Sequence, residues 1–422
     1  MKLPTLLFFL FALLFLRFVI FYQSQPSYKA GDEVALETVL HEEPDFSNKG
    51  QKFSIKTSLN QIIFVTTSAT PRLHYGEQVQ VSGILQESKL SRGGTLLTLS
   101  YPKLVVRGEL QNPVAQAALF VRKYNKELFE KTLPPTSASL LSGIVFGAKE
   151  HFNQDFKQSL SATGVLHVIA ASGMNVSFIA AALLSAFGLF MKRQMALLAG
   201  CVGIIFYVFL VGFEPSIIRA AIMGLLTFGA GILGRQNWAI FALSLTGYSM
   251  LLFQPSFLFD VGFQLSFMAT LGILLLDKPL GELLRLKKLG KLGGIALENV
   301  TSTTAAQIAT LPILLGVFGS FGVLSLLVNA LVLWVVPILM TLGSLAVLVG
   351  FIFQPVAQLL LFLCLPFLLF FEATVAFFGG FGWNISIEDW PWTFSVAYYL
   401  LIGASIISLR LRNVQNAKVS SS

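Results

Sequence analysis

The chain has 422 residues, of which 55% are AVILMFWYC and only 12% are charged, with a mean hydropathy of +0.75. A soluble globular protein carries roughly 25% charged residues, so the charge that would keep an ordinary soluble enzyme in solution is largely absent, and that class is excluded. The formal net charge of +8 has to be interpreted from where the charges lie rather than from their sum.

Residues 1–22 contain the apolar run LPTLLFFLFALLFLRFVIFY, about the ~20 residues that cross a bilayer as a helix. It lacks a short basic head followed by a small-residue cleavage site, which predicts a retained signal-anchor helix rather than a removed leader. Residues 23–111 change character. Period-two alternation over Val34–Val39, Gln61–Thr66 and Glu77–Leu85, with Lys52–Thr57 and a long Thr95–Val106 run, predicts five strands. Turn-prone pieces such as Ser47-Asn48-Lys49-Gly50 separate them. Such a segment suits a small extracytoplasmic β-barrel, with an OB-like fold as one candidate. From Gln23 to Leu110 it holds nine basic and nine acidic side chains, so it is neutral and shows no basic stripe.

Residues 112–160 open with Pro113 at a helix start and place Val114, Ala118, Val121 and Leu128 on one side, with Arg122, Lys123, Lys126 and Lys131 elsewhere. This predicts a basic amphipathic helix on the membrane surface. The stretch Leu140–Ala148 is too short to span and is assigned to the interface. Residues 161–412 carry apolar runs at 165–190, 194–213, 216–234, 238–253, 257–276, 300–318, 322–350, 356–378 and 393–409, which with the first make ten predicted spans. Pro337 marks a candidate re-entrant break in the longest run. A cytoplasmic N-terminus places Lys192, Arg193, Arg235, Lys278, Arg285, Lys287, Lys288, Lys291, Arg410, Arg412 and Lys418 inside and Glu214, Glu388 and Asp389 outside, as the positive-inside rule requires. Both ends, including the tail 413–422, are then cytoplasmic, and the +8 is mostly topology. The fold class is a polytopic α-helical membrane protein with an extracytoplasmic β domain near its N-terminus.

An ionisable group in hydrocarbon costs at least ~2.5–3.5 kcal/mol, so those that occur usually face a bundle interior or an aqueous path. His167, Ser172, Gly173 and Asn175 interrupt the run Gly164-Val165-Leu166-His167-Val168-Ile169-Ala170-Ala171-Ser172-Gly173-Met174-Asn175. Together they suggest function over a simple helix contact. Arg219 lies about one turn inside the outer boundary, either snorkelling or facing inward. Asp260 begins a helix and shares a face with Gln264; it is a candidate N-cap or a path residue. Gln307, Asn329 and Glu372 extend the polar set, and Arg17 is a candidate partner for Glu372. The chain contains no P-loop, HExxH, Gly-x-Ser-x-Gly or cysteine–histidine metal spacing, so no ATPase, hydrolase, cofactor or metal chemistry is predicted. Cys201 and Cys364 lie in apolar runs and predict no disulfide.

In order and spacing these motifs, continued by Pro215-Ser216-Ile217-Ile218-Arg219-Ala220, Asp260-Val261-Gly262-Phe263-Gln264-Leu265-Ser266-Phe267, Ala306-Gln307, Leu311-Pro312 and Asn329, resemble the ComEC family of DNA-uptake channels. The resemblance covers most of residues 140–350, and the preceding strand domain is similar to the OB-like domain of that family. It implies a channel that passes single-stranded DNA through the cytoplasmic membrane during natural transformation, with His167, Ser172, Gly173, Asn175, Arg219, Asp260, Gln264, Gln307 and Asn329 along the path. It also implies an extracytoplasmic DNA receptor, contact with membrane lipid, and a driving force supplied by a helicase-like cytoplasmic motor or by the membrane gradient. Two departures matter. Many members have histidine after Ser-Gly-Leu where this chain has Asn175 after Met174, which accepts and donates hydrogen bonds but does not titrate. Longer members continue into a metallo-β-lactamase-like domain, whereas no His-x-His-x-Asp-His pattern occurs here, so degradation of the other strand is expected from a separate nuclease. A small-solute or ion permease, and a membrane-embedded enzyme using His167 and Asp260, are the rival readings.

Overall fold

A computed structural model describes residues 3–40, 44–47, 50–57, 59, 61–73, 76–89, 95–109, 113–147, 152–165, 173–235, 238–283, 291–322, 324–381, 384–387 and 390–420. The first helix, α1 (Leu3–Ser24), leads into eight strands: β1 (Glu33–Val39), β2 (Asp45–Ser47), β3 (Gly50–Lys56), β4 (Ile62–Thr67), β5 (Glu77–Ile84), β6 (Gln86–Lys89), β7 (Thr95–Ser100) and β8 (Lys103–Glu109). They pair as a three-stranded sheet in the order β1-β5-β8 and a five-stranded sheet in the order β2-β3-β4-β7-β6. Alternate residues point inward, and Val34, Phe53, Ile55, Ile63, Val65, Val79, Val81 and Leu99 make one buried cluster, as the period of a half-buried strand demands.

The sequence predicts five strands; the structure divides one of them and adds two short strands, β2 and β6, outside the predicted stretches. At Leu85 both backbone groups are taken from outside the ladder, Gly31 N donating to Leu85 O at 2.8 Å and Leu85 N donating to Asp32 O at 2.9 Å, so β5 turns a corner into β6. The predicted Thr95–Val106 strand breaks at Tyr101, whose φ is 49°, and at Pro102, which has no N–H to give a ladder. The chain passes between the sheets four times, at β1–β2, β4–β5 and these two corners, and no ladder closes the two sheets into a ring among the described residues.

The helical part begins with α2 (Pro113–Thr132), α3 (Pro135–Phe146) and α4 (Gln154–Ala162). The stretch Leu140–Ala148, assigned to the interface, falls mostly within α3. Every residue from Leu140 to Phe146 is buried, because α3 is apolar on nearly all sides and packs among α2 and two later helices, which is how such a helix satisfies its surface. Then follow α5 (Gly173–Gly188), α6 (Arg193–Val211), α7 (Pro215–Ile232), α8 (Ala239–Phe253), a 3₁₀ turn (Pro255–Phe259), α9 (Val261–Leu283), α10 (Lys291–Phe318), β9 (Ser320–Gly322), α11 (Ser325–Val332), α12 (Val335–Gly350), α13 (Gln354–Gly379), β10 (Asn384–Ser386) and α14 (Trp392–Ser420).

Among the described residues five helices are long and apolar enough to cross a membrane, and α11 with α12, bent by 43°, makes a sixth if the pair is one span. The bend falls at Leu333–Trp334, just ahead of Pro337, whose missing N–H is tolerated in the first turn of α12. The remaining predicted runs hold shorter apolar helices, Phe8–Ser24, Gly173–Gly188, Ala239–Phe253 and Trp392–Ser408.

Helices α9 and α10 form an antiparallel pair. Near one end Thr301 and Ser302 donate to Asp277 at 2.7 and 3.1 Å, and midway a Cβ on Gly272 would stand 2.7 Å from the Ala305 carbonyl oxygen, so only glycine permits this approach. Pro312 lies inside α10 and leaves the carbonyl of Ile308 without its helical donor. Tyr398 of α14 donates to that oxygen at 3.0 Å, and Tyr399 donates to Ala309 O at 3.0 Å. Beyond the ends of α10 and α13, β9 and β10 pair antiparallel.

Candidate functional site

Two polar clusters lie within the apolar bundle, one at each end of the Gly164–Gly173 motif. At the first end Gly164 has φ of +70° and its missing Cβ would lie 2.7 Å from Ser325 Cβ, so both conformation and space require glycine. Ser325 in turn accepts from Gln307 Nε2 at 3.2 Å. One turn along α11, Asn329 is buried, and its side-chain oxygen has no hydrogen-bond partner among the described residues. His167 and Ser172 belong to the segment 166–172, which lies outside the described residues.

At the other end, Gly173 packs against Arg219, and a Cβ there would lie 2.6 Å from Arg219 Nη2. The guanidinium is drawn into the bundle. Its Nε donates to Ser266 Oγ at 2.6 Å and its Nη1 donates to Thr270 Oγ1 at 2.6 Å, with Met223 Sδ 3.6 Å away. Ser266 and Thr270 are four apart on α9 and share a face; Thr270 also donates to Ser266 O at 3.0 Å, which orients its lone pair towards the arginine. Among the described residues no carboxylate comes within ion-pair distance of Arg219. Two hydroxyls fix the side chain against α9, with no charge to neutralise it among the described residues.

Asn175 is buried and donates to Ile144 O at 2.8 Å, while Tyr207 donates to Val145 O at 2.9 Å. These are two of the last carbonyls of α3, which have no donor within their own helix. Asn175 therefore holds a helix end.

Asp260 serves as the N-cap of α9, accepting from Phe263 N at 2.9 Å through Oδ1, the geometry that gives aspartate its preference there. Its Oδ2 meets Lys56 Nζ of β3 at 2.5 Å. Gln264 does not join Asp260 through its side chain; its Nε2 donates to Leu258 O at 2.8 Å and braces the preceding turn. Arg17 and Glu372 are not partners. Arg17 donates to Leu252 O and Phe253 O at 3.0 and 3.2 Å, closing the end of α8. Glu372 accepts from Ser137 Oγ at 2.6 Å, in the first turn of α3, whose own Pro134-Pro135 start supplies no side-chain cap.

Sequence reasoning identified Arg219 but not its holders. Ser266 and Thr270 are separated from it by 47 and 51 residues, and the one available signal was a pair of hydroxyls at helical spacing in an otherwise apolar span. Lys56 had no signal, since a lysine at a strand end is ordinary.

Long apolar helices, an arginine fixed among them by hydroxyls, and a small β domain seated at one end make up a chain compatible with a helical membrane protein that has a polar interior. Residues 144–412 match the family described as Competence protein, and the chain belongs to this ComEC-type family. It is 28% identical over 214 residues to ComE operon protein 3 of Bacillus subtilis (strain 168), covering 50% of this chain and 26% of that protein. It is 30% identical over 219 residues to an uncharacterized protein of Aquifex aeolicus (strain VF5), covering 49% of this chain and 52% of that one. The matches therefore span about half or less of the length of these relatives. No solved structure matches the chain.

Proposed function

We propose that this protein conducts a single strand of DNA across the cytoplasmic membrane during natural transformation. The observation that carries the reading is Arg219, a guanidinium held by Ser266 and Thr270 without a carboxylate among the described residues. A cation inside an apolar bundle is costly, and a passing phosphate would neutralise it for the duration of contact. Hydroxyl holders keep the group in place without competing for its charge.

The β domain adds a second support. On one face of its five-stranded sheet β4 presents Ile62 and Phe64, 47% and 41% exposed, paired with Lys56 and Ser54 of β3. Lys52 stands one pair further along, opposite Thr66, with Asp45 across from it on the edge strand. An exposed aromatic ring amid hydroxyls and lysines suits stacking of bases without selection of sequence. In this reading the ten apolar runs are spans, both termini are cytoplasmic and the β domain is extracytoplasmic. The chain itself does no covalent chemistry; a receptor outside delivers the strand, a helicase-like motor inside draws it, and a separate nuclease degrades its complement.

The test is uptake of labelled linear DNA into a nuclease-protected form in competent cells lacking the gene, complemented by the wild-type chain or by Arg219→Glu. Restoration by the wild type and failure of Arg219→Glu at equal membrane abundance is the expected result, because repulsion replaces attraction in a poorly screened interior. Unimpaired uptake in the deletion strain would overturn the reading and make small-solute transport the next assay.

A further inference from the structure

The joint between the β domain and the bundle is built from one exposed and one committed group. Lys56 is 49% exposed at its side chain, whereas Asp260 is 10% exposed and already uses its other oxygen to cap α9. The corner they meet at is fastened independently from a second direction. Arg17 of α1 closes the end of α8, and Tyr22 packs edge-on against Phe259 of the intervening turn. The same helix that Asp260 starts carries Ser266 and Thr270, the holders of Arg219. The seat of the β domain and the seat of the guanidinium are thus two stations on α9.

We propose that Lys56 is a shared cation, bound to Asp260 while the β domain is docked and transferred to a backbone phosphate when a single strand arrives, so that the strand itself releases the domain from the bundle. The inference rests on the reading that the chain handles DNA. Lys56 is half in water, so an incoming anion reaches it while it is still paired, and Asp260, being buried, is then left an uncompensated carboxylate, which favours separation. A strand brings many phosphates at high local concentration, and a phosphate on Lys56 also repels Asp260. Asp260 loses only its exposed partner in the exchange, because its cap bond to Phe263 N is separate, so α9 keeps its start and Arg219 keeps its holders.

The experiment uses the full chain in lipid nanodiscs, with Cys201→Ala and Cys364→Ala and spin labels at Ser54→Cys and Leu258→Cys, one on β3 and one on the turn before α9. Distances are measured by pulsed electron resonance with and without single-stranded oligothymidylate at low salt. The docked protein should give one narrow distance, broadened by the oligonucleotide and restored by raising salt, as phosphate contacts demand. Asp260→Asn keeps the cap, since asparagine caps as well as aspartate, but lacks the charge; it should be broad without DNA and insensitive to it, and Lys56→Met should behave alike. Acetylation of Lys56 relative to Lys52, read by peptide mass spectrometry on protein with its native cysteines, should rise several-fold in Asp260→Asn. A wild-type distance unmoved by saturating oligonucleotide, or an Asp260→Asn distance as narrow as wild type, overturns the proposal. Neither readout involves passage of DNA, so such a result leaves the transport reading standing, and unimpaired transport by Arg219→Glu would leave these distances unaltered.

Discussion

Arg17 and Arg219 are the same residue in similar apolar settings, and the structure treats them oppositely. Arg17 lies near the end of α1 and spends its donors on Leu252 O and Phe253 O, the negative end of α8, so its charge is matched by a helix terminus. Arg219 is held by Ser266 and Thr270, which orient it without offsetting its charge. The identity of the partner separates an arginine matched by a helix end from one held by hydroxyls alone; hydropathy and depth along the helix do not.

Exchanging each arginine for lysine tests that comparison most severely. At position 219 a single ammonium cannot reproduce the forked contact to two hydroxyls, and DNA uptake should fall by about tenfold or more, each decade corresponding to about 1.4 kcal/mol. Arg17→Lys keeps a cation near the same carbonyls and should leave uptake within about twofold while lowering thermal stability slightly, by about 0.3–1 kcal/mol. Equal effects at the two positions, measured as uptake per molecule in the membrane, would dissolve the distinction. Next in size, Gly173→Ala should push Arg219 away from its holders, since the added methyl carbon meets Nη2 at 2.6 Å; reduced uptake with unchanged membrane abundance is expected, and Gly164→Ala should instead reduce abundance because its φ of +70° is also violated. Ser266→Ala removes one of the two hydrogen bonds to a charged group, worth about 1.5–3 kcal/mol, and should lower uptake less than Arg219→Lys. The smallest effect is expected from Tyr398→Phe, which leaves the Ile308 carbonyl above Pro312 without its donor; uptake should persist while the melting temperature in detergent drops, by an equivalent of about 1–3 kcal/mol.

The legible parts of this chain were those in which local chemistry and final structure agree. Asp260 could be named as a cap because an aspartate before an apolar helix satisfies a donor only a few residues away, and the strands could be placed because their period is local. Lys56 could not be found, since its partner is 204 residues distant and a strand-end lysine is normally solvated. Length alone assigns the α3 segment to the interface; its burial has a local signal of its own, since Ser142 is the lone polar side chain between Leu140 and Phe146, a pattern of full enclosure by neighbouring helices. The break at Tyr101-Pro102 was overlooked although proline in a central strand argues against continuity. Arg219 was found, and its role was left open, because hydroxyl holders on another helix have no signature in one sequence.

The short ribbon of β9 and β10 has a mechanical consequence. Its backbone pairing, extended by Ile387 N donating to Gly319 O at 2.9 Å, rivets the far ends of α10 and α13 together. Helices pinned at one end part as the blades of a fan do. Any motion of α10 relative to α13 is therefore constrained at this ribbon and freest at the opposite ends of the two helices.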